Sequence, residues 1–238
     1  MTDILEKSIA LRIGGMVPFT TIDFPGKLSA VLFCQGCPWR CRYCQNVELM
    51  SPTEPSRYSW EQILAFLQKR KGLLDAVVFS GGEPVYQKHL IEAMQQTKAL
   101  GFAIGLHTGG GYPKKLKAVL PYVDWVGFDV KALEADYAQV TGVPGSGKKA
   151  WESLALLVAS GVEYECRTTV HWDLLSVGQL RRLANSLAAM GVKHYSVQAV
   201  RVKDCLDDQL KPSELITAET SPLFDEMRSL FPHFVLRV

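Results

Sequence analysis

The sequence predicts an α/β fold on a parallel sheet, with its special residues gathered at one sheet edge. Three observations predict this. Short apolar runs alternate with amphipathic helical segments along the chain, the pattern of strand–helix units with buried strands. Six such units run from Leu28 to Arg201, which fits a partial (β/α) barrel or a doubly wound sheet. Cysteines, "SGGEP", "HTGG", "DVK", "RTT" and "QAVR" all fall at or just after strand C-termini, the edge that carries active sites in such folds.

Each element has a local reason. "LSAVLF" (Leu28 to Phe33) is a buried-strand run. "SWEQILAFLQKR" opens a helix with Ser59 as N-cap and Gln62 three residues later, a capping box, and puts Ile63, Phe66 and Leu67 on one face. "DAVVFSGGEP" is a strand ending in a glycine turn, and "QKHLIEAMQQTKAL" is a helix closed by Gly101. "FAIGLHTGG" and "YVDWVGFDVKA" are strands. "KKAWESLALLVASG" is a helix stopped by Gly161. "VEYECRTTVHW" is a strand, "VGQLRRLANSLAAMG" a helix stopped by Gly191, and "HYSVQAVR" the sixth strand. A last helix is expected from Ser221 to Leu230, and "HFVLRV" fits a final strand. No linker divides the chain, so one domain over residues 1–238 is expected. "VTGVPGSGKKA" reads as a surface loop entering the helix at Lys148. It nearly matches a phosphate-binding loop, but Lys149 stands where the magnesium-binding hydroxyl is needed, and no buried strand precedes it.

Composition narrows the function. Net charge is +2, so no strong field draws the chain to nucleic acid or to a membrane surface. The start, "MTDILEKSIALRIGG", lacks the basic segment and long apolar run of a signal peptide, and no stretch has the apolar length to span a bilayer. The expected location is cytoplasmic. In that setting the six cysteines favour metal binding or catalysis over disulfides.

Four of them lie in "CQGCPWRCRYCQN", Cys34 to Asn46. A closed zinc site usually needs two separated ligand pairs, but Cys166 and Cys205 are isolated. A bacterial ferredoxin run has a different spacing. The last three, Cys37, Cys41 and Cys44, give C-x-x-x-C-x-x-C on one short loop. Three thiolates can hold three irons of a [4Fe–4S] cube and leave the fourth iron open to a substrate. Cys34 can be a fourth ligand or, the favoured reading, a small buried residue at the strand end. Further along, Glu83 in "SGGEP" can accept hydrogen bonds from an ammonium group, and Gly81 and Gly82 allow close backbone approach. "DVK" puts Asp129 and Lys131 on one side of a strand. Arg167 in "ECRTTV" needs a carboxylate partner if it points inward. Gln198 and Arg201 can face the same mouth, while His171, His194 and His233 form no evident metal set.

The three-cysteine motif, with Tyr43 inside its last pair, followed on the next strand by "SGGEP", resembles the radical S-adenosylmethionine (SAM) superfamily. That resemblance implies a partial (β/α)6 TIM-like barrel of the radical SAM type. It implies a [4Fe–4S] cluster on Cys37, Cys41 and Cys44, with SAM on the open iron. One electron then breaks a C–S bond, and the deoxyadenosyl radical abstracts a hydrogen atom. Carried onto this chain, the SAM contacts are Tyr43, against the adenine, with Gly81, Gly82, Glu83, Thr108, Asp129, Lys131 and Arg167. "DVK" resembles the D-x-K element of glycyl-radical-enzyme activating enzymes. In that group a strand often ends Asp-Thr-Asn-Gly; here it reads His107-Thr108-Gly109-Gly110, which removes the carboxylate of a cation site. The lead-in "TTIDFPGKLSAVLFCQGCPWRCRYCQN" resembles activating enzymes of anaerobic ribonucleoside-triphosphate reductase, with Gln45 where histidine is often seen. The implied partners are that glycyl radical enzyme and a flavodoxin or ferredoxin as electron donor. Modification of a small molecule and a non-enzymatic iron–sulfur or zinc module are the alternatives.

Overall fold

A computed structural model describes residues 9–238. The part of the amino-terminal stretch before residue 9, read above for a signal peptide, lies outside the described residues. The strands are β1 (Ile13–Thr20), β2 (Ser29–Cys34), β3 (Ala76–Gly81), β4 (Ala103–Thr108), β5 (Trp125–Asp129), β6 (Glu163–Val170), β7 (His194–Ala199) and β8 (His233–Arg237). The α-helices are α1 (Trp60–Gln68), α2 (Leu90–Ala99), α3 (Pro113–Val119), α4 (Tyr137–Thr141), α5 (Ser146–Val158), α6 (Val177–Ala189) and α7 (Ser221–Leu230). Strand order follows chain order from β1 to β8, and the sheet is open. The fold is the expected α/β class, with β2 to β7 as the six predicted strands. Among the described residues, no helix is long and apolar enough to cross a membrane.

The chain forms two compact units. The first comprises residues 9–38, 48–108 and 114–126 of the described chain. Here β2, β3 and β4 pair in parallel, Val31 beside Val78 and Val78 beside Gly105. β1 pairs antiparallel to β2 with two register irregularities. Sequence reasoning missed β1 because Gly14, Gly15 and Pro18 break its pattern. Proline is tolerated there because β1 is an edge strand. Gly14 has a packing reason: a Cβ on it would stand 2.3 Å from Leu49 Cδ2. Phe24, Val31, Ala76, Val78 and Trp125 form a core cluster, with Phe24 stacked on Trp125 at 5.5 Å between ring centroids. The Ser59–Gln62 capping box forms as read, Ser59 accepting from the Gln62 amide.

The second unit comprises Trp39–Val47, Gly109–Pro113 and Gly127–Val238. β6, β7 and β8 pair in parallel, placing Cys166 beside Tyr195 and Tyr195 beside Phe234. Leu154 and Leu157 of α5, Leu180, Leu183 and Leu187 of α6, and Phe224 and Met227 of α7 are buried. Helix α6 starts on a second capping box, Ser176 with Gln179. The Gly-rich loop is shorter than the sequence suggested: α5 begins at Ser146, not Lys148. Gly147 permits this, since a Cβ there would sit 2.1 Å from the Glu134 carbonyl oxygen. What precedes this segment is helix α4, with Gly142 in the left-handed region at φ 67°, so the phosphate-loop lookalike has no strand behind it.

Candidate active site

In the first unit, Cys37, Gly81, Gly82, Glu83 and Thr108 come from the C-terminal ends of β2, β3 and β4. The backbone just after β2 is pinned on both sides. Gly36 N–H donates to Leu49 O at 2.7 Å, Cys37 N–H to Met50 O at 3.2 Å, and Glu83 N–H to Gly36 O at 2.9 Å. Gly82 N–H donates to Cys34 O at 2.8 Å. The two glycines do allow close approach, and the approach is to protein backbone. A Cβ on Gly81, whose φ is 106°, would lie 2.6 Å from Cys34 N and O; one on Gly82 would lie 2.6 Å from Gly36 O. Cys34 itself is fully buried in β2. Burial first, then the Glu83 carboxylate, pushes its thiol far above the usual range.

Glu83 is 2% exposed. Its Oε1 accepts from the Val85 amide at 3.2 Å and from the Thr108 hydroxyl at 2.7 Å. Thr108 therefore orients Glu83. His107, the preceding residue, contacts Asp23 O through Nε2 at 2.9 Å and Ser80 Oγ through Nδ1 at 3.3 Å. Its ring meets Trp125 edge-on at 5.7 Å. The histidine thus ties β4 to the Asp23–Lys27 lead-in, where Lys27 N–H donates to Phe24 O in a turn with Gly26 at φ 70°.

In the second unit, Cys41, Tyr43 and Cys44 lie with Asp129, Lys131 and Arg167. Arg167 has the expected carboxylate: its Nε donates to Asp129 Oδ1 at 3.0 Å. Its Nη2 also reaches the Gly127 carbonyl at 3.3 Å. Asp129 and Lys131 are paired at 3.7 Å. Tyr137 pins "DVK" from below: its hydroxyl accepts from the Lys131 amide at 3.1 Å and donates to Asp129 O at 3.2 Å. The Lys131 ammonium is buried and lies 5.8 Å from the Trp39 ring centroid and 5.6 Å from that of Tyr43. Burial disfavours its charge, but Tyr43, Cys41 and Asp129 outweigh burial and hold it firmly protonated. Burial pushes the Cys41 thiol up, and Lys131 partly opposes this.

Sequence reasoning missed Trp39, Tyr137, Gly109 and Gly127. A Cβ on Gly109 would stand 2.2 Å from the Trp39 ring, and one on Gly127 2.8 Å from the Arg167 guanidinium. A glycine inside a strand run is the signal that flags Gly127. Gln198, a candidate for the same mouth, donates to Thr169 Oγ1 at 2.8 Å; of the histidines set aside, buried His171 bonds Lys211 O, and His194 stacks on His233.

The donor set fits an iron–sulfur cube. Cys37, Cys41 and Cys44 lie within eight residues of one another and form no disulfide. No group of three His, Cys, Asp or Glu is arranged around a single metal ion among the described residues. A cube asks for something else, because each thiolate serves a different iron. Tyr43 also offers a buried hydroxyl with no hydrogen bond of ordinary geometry, and the Lys131 ammonium lies over its ring.

The Radical SAM superfamily model matches residues 31–175, which makes the chain a radical SAM enzyme. The chain belongs to that superfamily, and its cofactors are a [4Fe–4S] cluster and SAM. Within it, the chain belongs with the glycyl-radical-enzyme activating enzymes. It is 30% identical over 209 residues to the "Putative glycyl-radical enzyme activating enzyme MJ1227" of Methanocaldococcus jannaschii, covering 84% of each chain. It is 30% identical over 182 residues to the pyruvate formate-lyase-activating enzyme of Clostridium pasteurianum, covering 73% of this chain and 75% of that one. Many solved structures share its fold, among them the two that follow. SuiB of Streptococcus suis bound to S-adenosylmethionine superposes with a TM-score of 0.63 at 15% identity, over 84% of this chain and 48% of SuiB, so the chain spans about half of SuiB's length. QueE of Escherichia coli superposes with a TM-score of 0.57 at 17% identity, over 95% and 93% of the two chains.

Proposed function

We propose that this chain generates a glycyl radical on a partner enzyme, an anaerobic ribonucleoside-triphosphate reductase. Cys37, Cys41 and Cys44 hold the cluster, and Tyr43, Gly81, Gly82, Glu83, Thr108, Asp129, Lys131 and Arg167 surround SAM. A flavodoxin or ferredoxin supplies the electron. When bound, the cluster and SAM supply the one-electron chemistry that removes a hydrogen atom from a glycine Cα. The chain's own residues bind and orient. Glu83, set by Thr108, receives the SAM ammonium. Lys131, kept cationic, meets the SAM carboxylate. Arg167 holds Asp129 in place near the ribose, and Tyr43 lies against the adenine. The observation that carries the choice of partner is the lead-in from Thr20 to Asn46, whose Asp-Phe-Pro-Gly-Lys segment runs into the cysteine loop.

The test is electron paramagnetic resonance after mixing the reduced, cluster-loaded chain with SAM and the co-encoded anaerobic reductase. A glycyl doublet is expected on the reductase. SAM cleavage with no doublet on any co-encoded glycyl radical enzyme refutes the activase reading and points to a small-molecule substrate. Cys37→Ala, Cys41→Ala and Cys44→Ala should each abolish SAM cleavage, and Cys34→Ala should retain most of it.

A further inference from the structure

The cysteine loop of the second unit is held along both edges. On one edge, Arg40 N–H donates to Thr141 O at 2.9 Å and Arg42 N–H to Val140 O at 3.0 Å. On the other lies a segment after β7, Arg201 to Asp207, which has no regular secondary structure beyond turns. Its contacts run residue by residue along the loop. Asp207 N–H donates to Arg42 O at 2.9 Å and Leu206 N–H to Cys44 O at 2.9 Å. Cys205 Sγ lies 3.4 Å from Tyr43 O and 3.2 Å from Arg201 O. The Gln45 side-chain amide donates to Arg201 O at 2.8 Å and to Lys203 O at 3.1 Å. Arg42 Nε donates to the Asp207 carboxylate at 2.7 Å. Every residue from Arg42 to Gln45 thus has a tie to this segment. Asp204, at φ 60°, is the one non-glycine residue in the left-handed region among the described residues, and it turns the segment between Lys203 and Cys205.

We propose that Arg201–Asp207 is a clasp that sets the position of Cys44 and Tyr43, and that Gln45 and Asp207 are its positioning residues. The inference rests on the cluster assignment of Cys37, Cys41 and Cys44 and extends it to a segment of no known motif. The chemistry is direct. The thiolate of a cluster ligand and its neighbouring amides keep their place only if the loop backbone does. The Cys44 carbonyl and both Arg42 backbone groups are bonded across the loop, and Gln45, one residue beyond Cys44, closes the end. Histidine at Gln45 carries one N–H at a time when neutral and cannot donate to two carbonyls as the amide does.

The test compares Gln45→Leu, Gln45→His and Asp207→Ala with the wild-type chain. Four quantities are read: iron loss to a chelator, cluster midpoint potential, hydrogen exchange of the Leu206 and Asp207 amides in the metal-free chain, and melting temperature. Gln45→Leu should lose iron roughly tenfold faster, the loss of one to two hydrogen bonds, with a shifted potential and faster amide exchange. Its melting temperature should stay within a few degrees of wild type. Gln45→His should fall between the two. Iron loss, potential and exchange all equal to wild type in both Gln45→Leu and Asp207→Ala overturn the clasp. If Gln45→Leu fails to fold, Asp207→Ala decides, since it removes a surface ion pair. If the wild-type chain takes up no iron, the cluster assignment falls instead, and amide exchange in the metal-free chain still decides the clasp.

Discussion

Arg167 lies across β5 with Nε and Nη2 each 3.0 Å from Asp129 Oδ1, over the bare Cα of Gly127. One carboxylate therefore compensates two cations, Arg167 and the buried Lys131. Asp129→Ala should destabilise the chain by about 2 kcal/mol, discounted for the partial exposure of Asp129, because both cations lose this carboxylate. Asp129→Asn, which keeps an acceptor, should cost less than half as much. Urea unfolding checks both, and equal midpoints for Asp129→Ala and wild type would refute the shared compensation.

Gly127→Ala should cost about 1–3 kcal/mol, since the methyl group must displace the guanidinium. Gly109→Ala should cost a similar amount and also move Trp39. Near-ultraviolet circular dichroism should change in Gly109→Ala and stay close to wild type in Gly127→Ala. The same spectral change in both would sink the assignment.

Of the six cysteines, Cys34 and Cys166 are fully buried, and burial followed by an adjacent carboxylate pushes both thiols far up. Glu83 is that carboxylate for Cys34 and Glu165 for Cys166. Neither should react with a disulfide reagent at pH 8 in the native, metal-free chain. Mass spectrometry of the labelled chain should find label only on the other cysteines. Rapid native labelling of Cys34 would count against its role as a packing residue.

The Asp207 carboxyl is held below the usual carboxylate range, chiefly by the hydrogen bond from Arg42 and then by the Gln209 amide. A depressed folded-state value gives the sign. The pair contributes fully above the ordinary aspartate range and loses its contribution as pH falls through the depressed value. An NMR titration of Asp207 should give a midpoint below that of an unfolded peptide, and Arg42→Ala should raise it toward the ordinary value. A midpoint that Arg42→Ala leaves unmoved refutes the attribution.

What the sequence made legible was local or repeated. The Ser59–Gln62 capping box spans four residues and forms as read. Gly101, Gly161 and Gly191 each follow a helix with positive φ, as their positions suggested. The need of Arg167 for a carboxylate was readable from chemistry, but its identity required β5 and β6 to be laid out. Trp39 and Gly109 were illegible because neither signals alone; only their contact explains both. β1 was missed because its two glycines and proline look like a loop, and the proline is tolerated because β1 lies at the sheet edge. Gln45 looked like a neutral exchange for histidine. Its two carbonyl partners lie more than 150 residues away, out of reach of any local pattern.

The Gly81–Gly82 turn has a consequence for engineering. Each glycine is shaped against the backbone of residues 34–36, so the turn and the start of the cysteine loop are two halves of one mould. Transplanting the three-cysteine loop into another barrel would need this turn carried with it. A library that randomised either half alone would recover almost nothing but the parent.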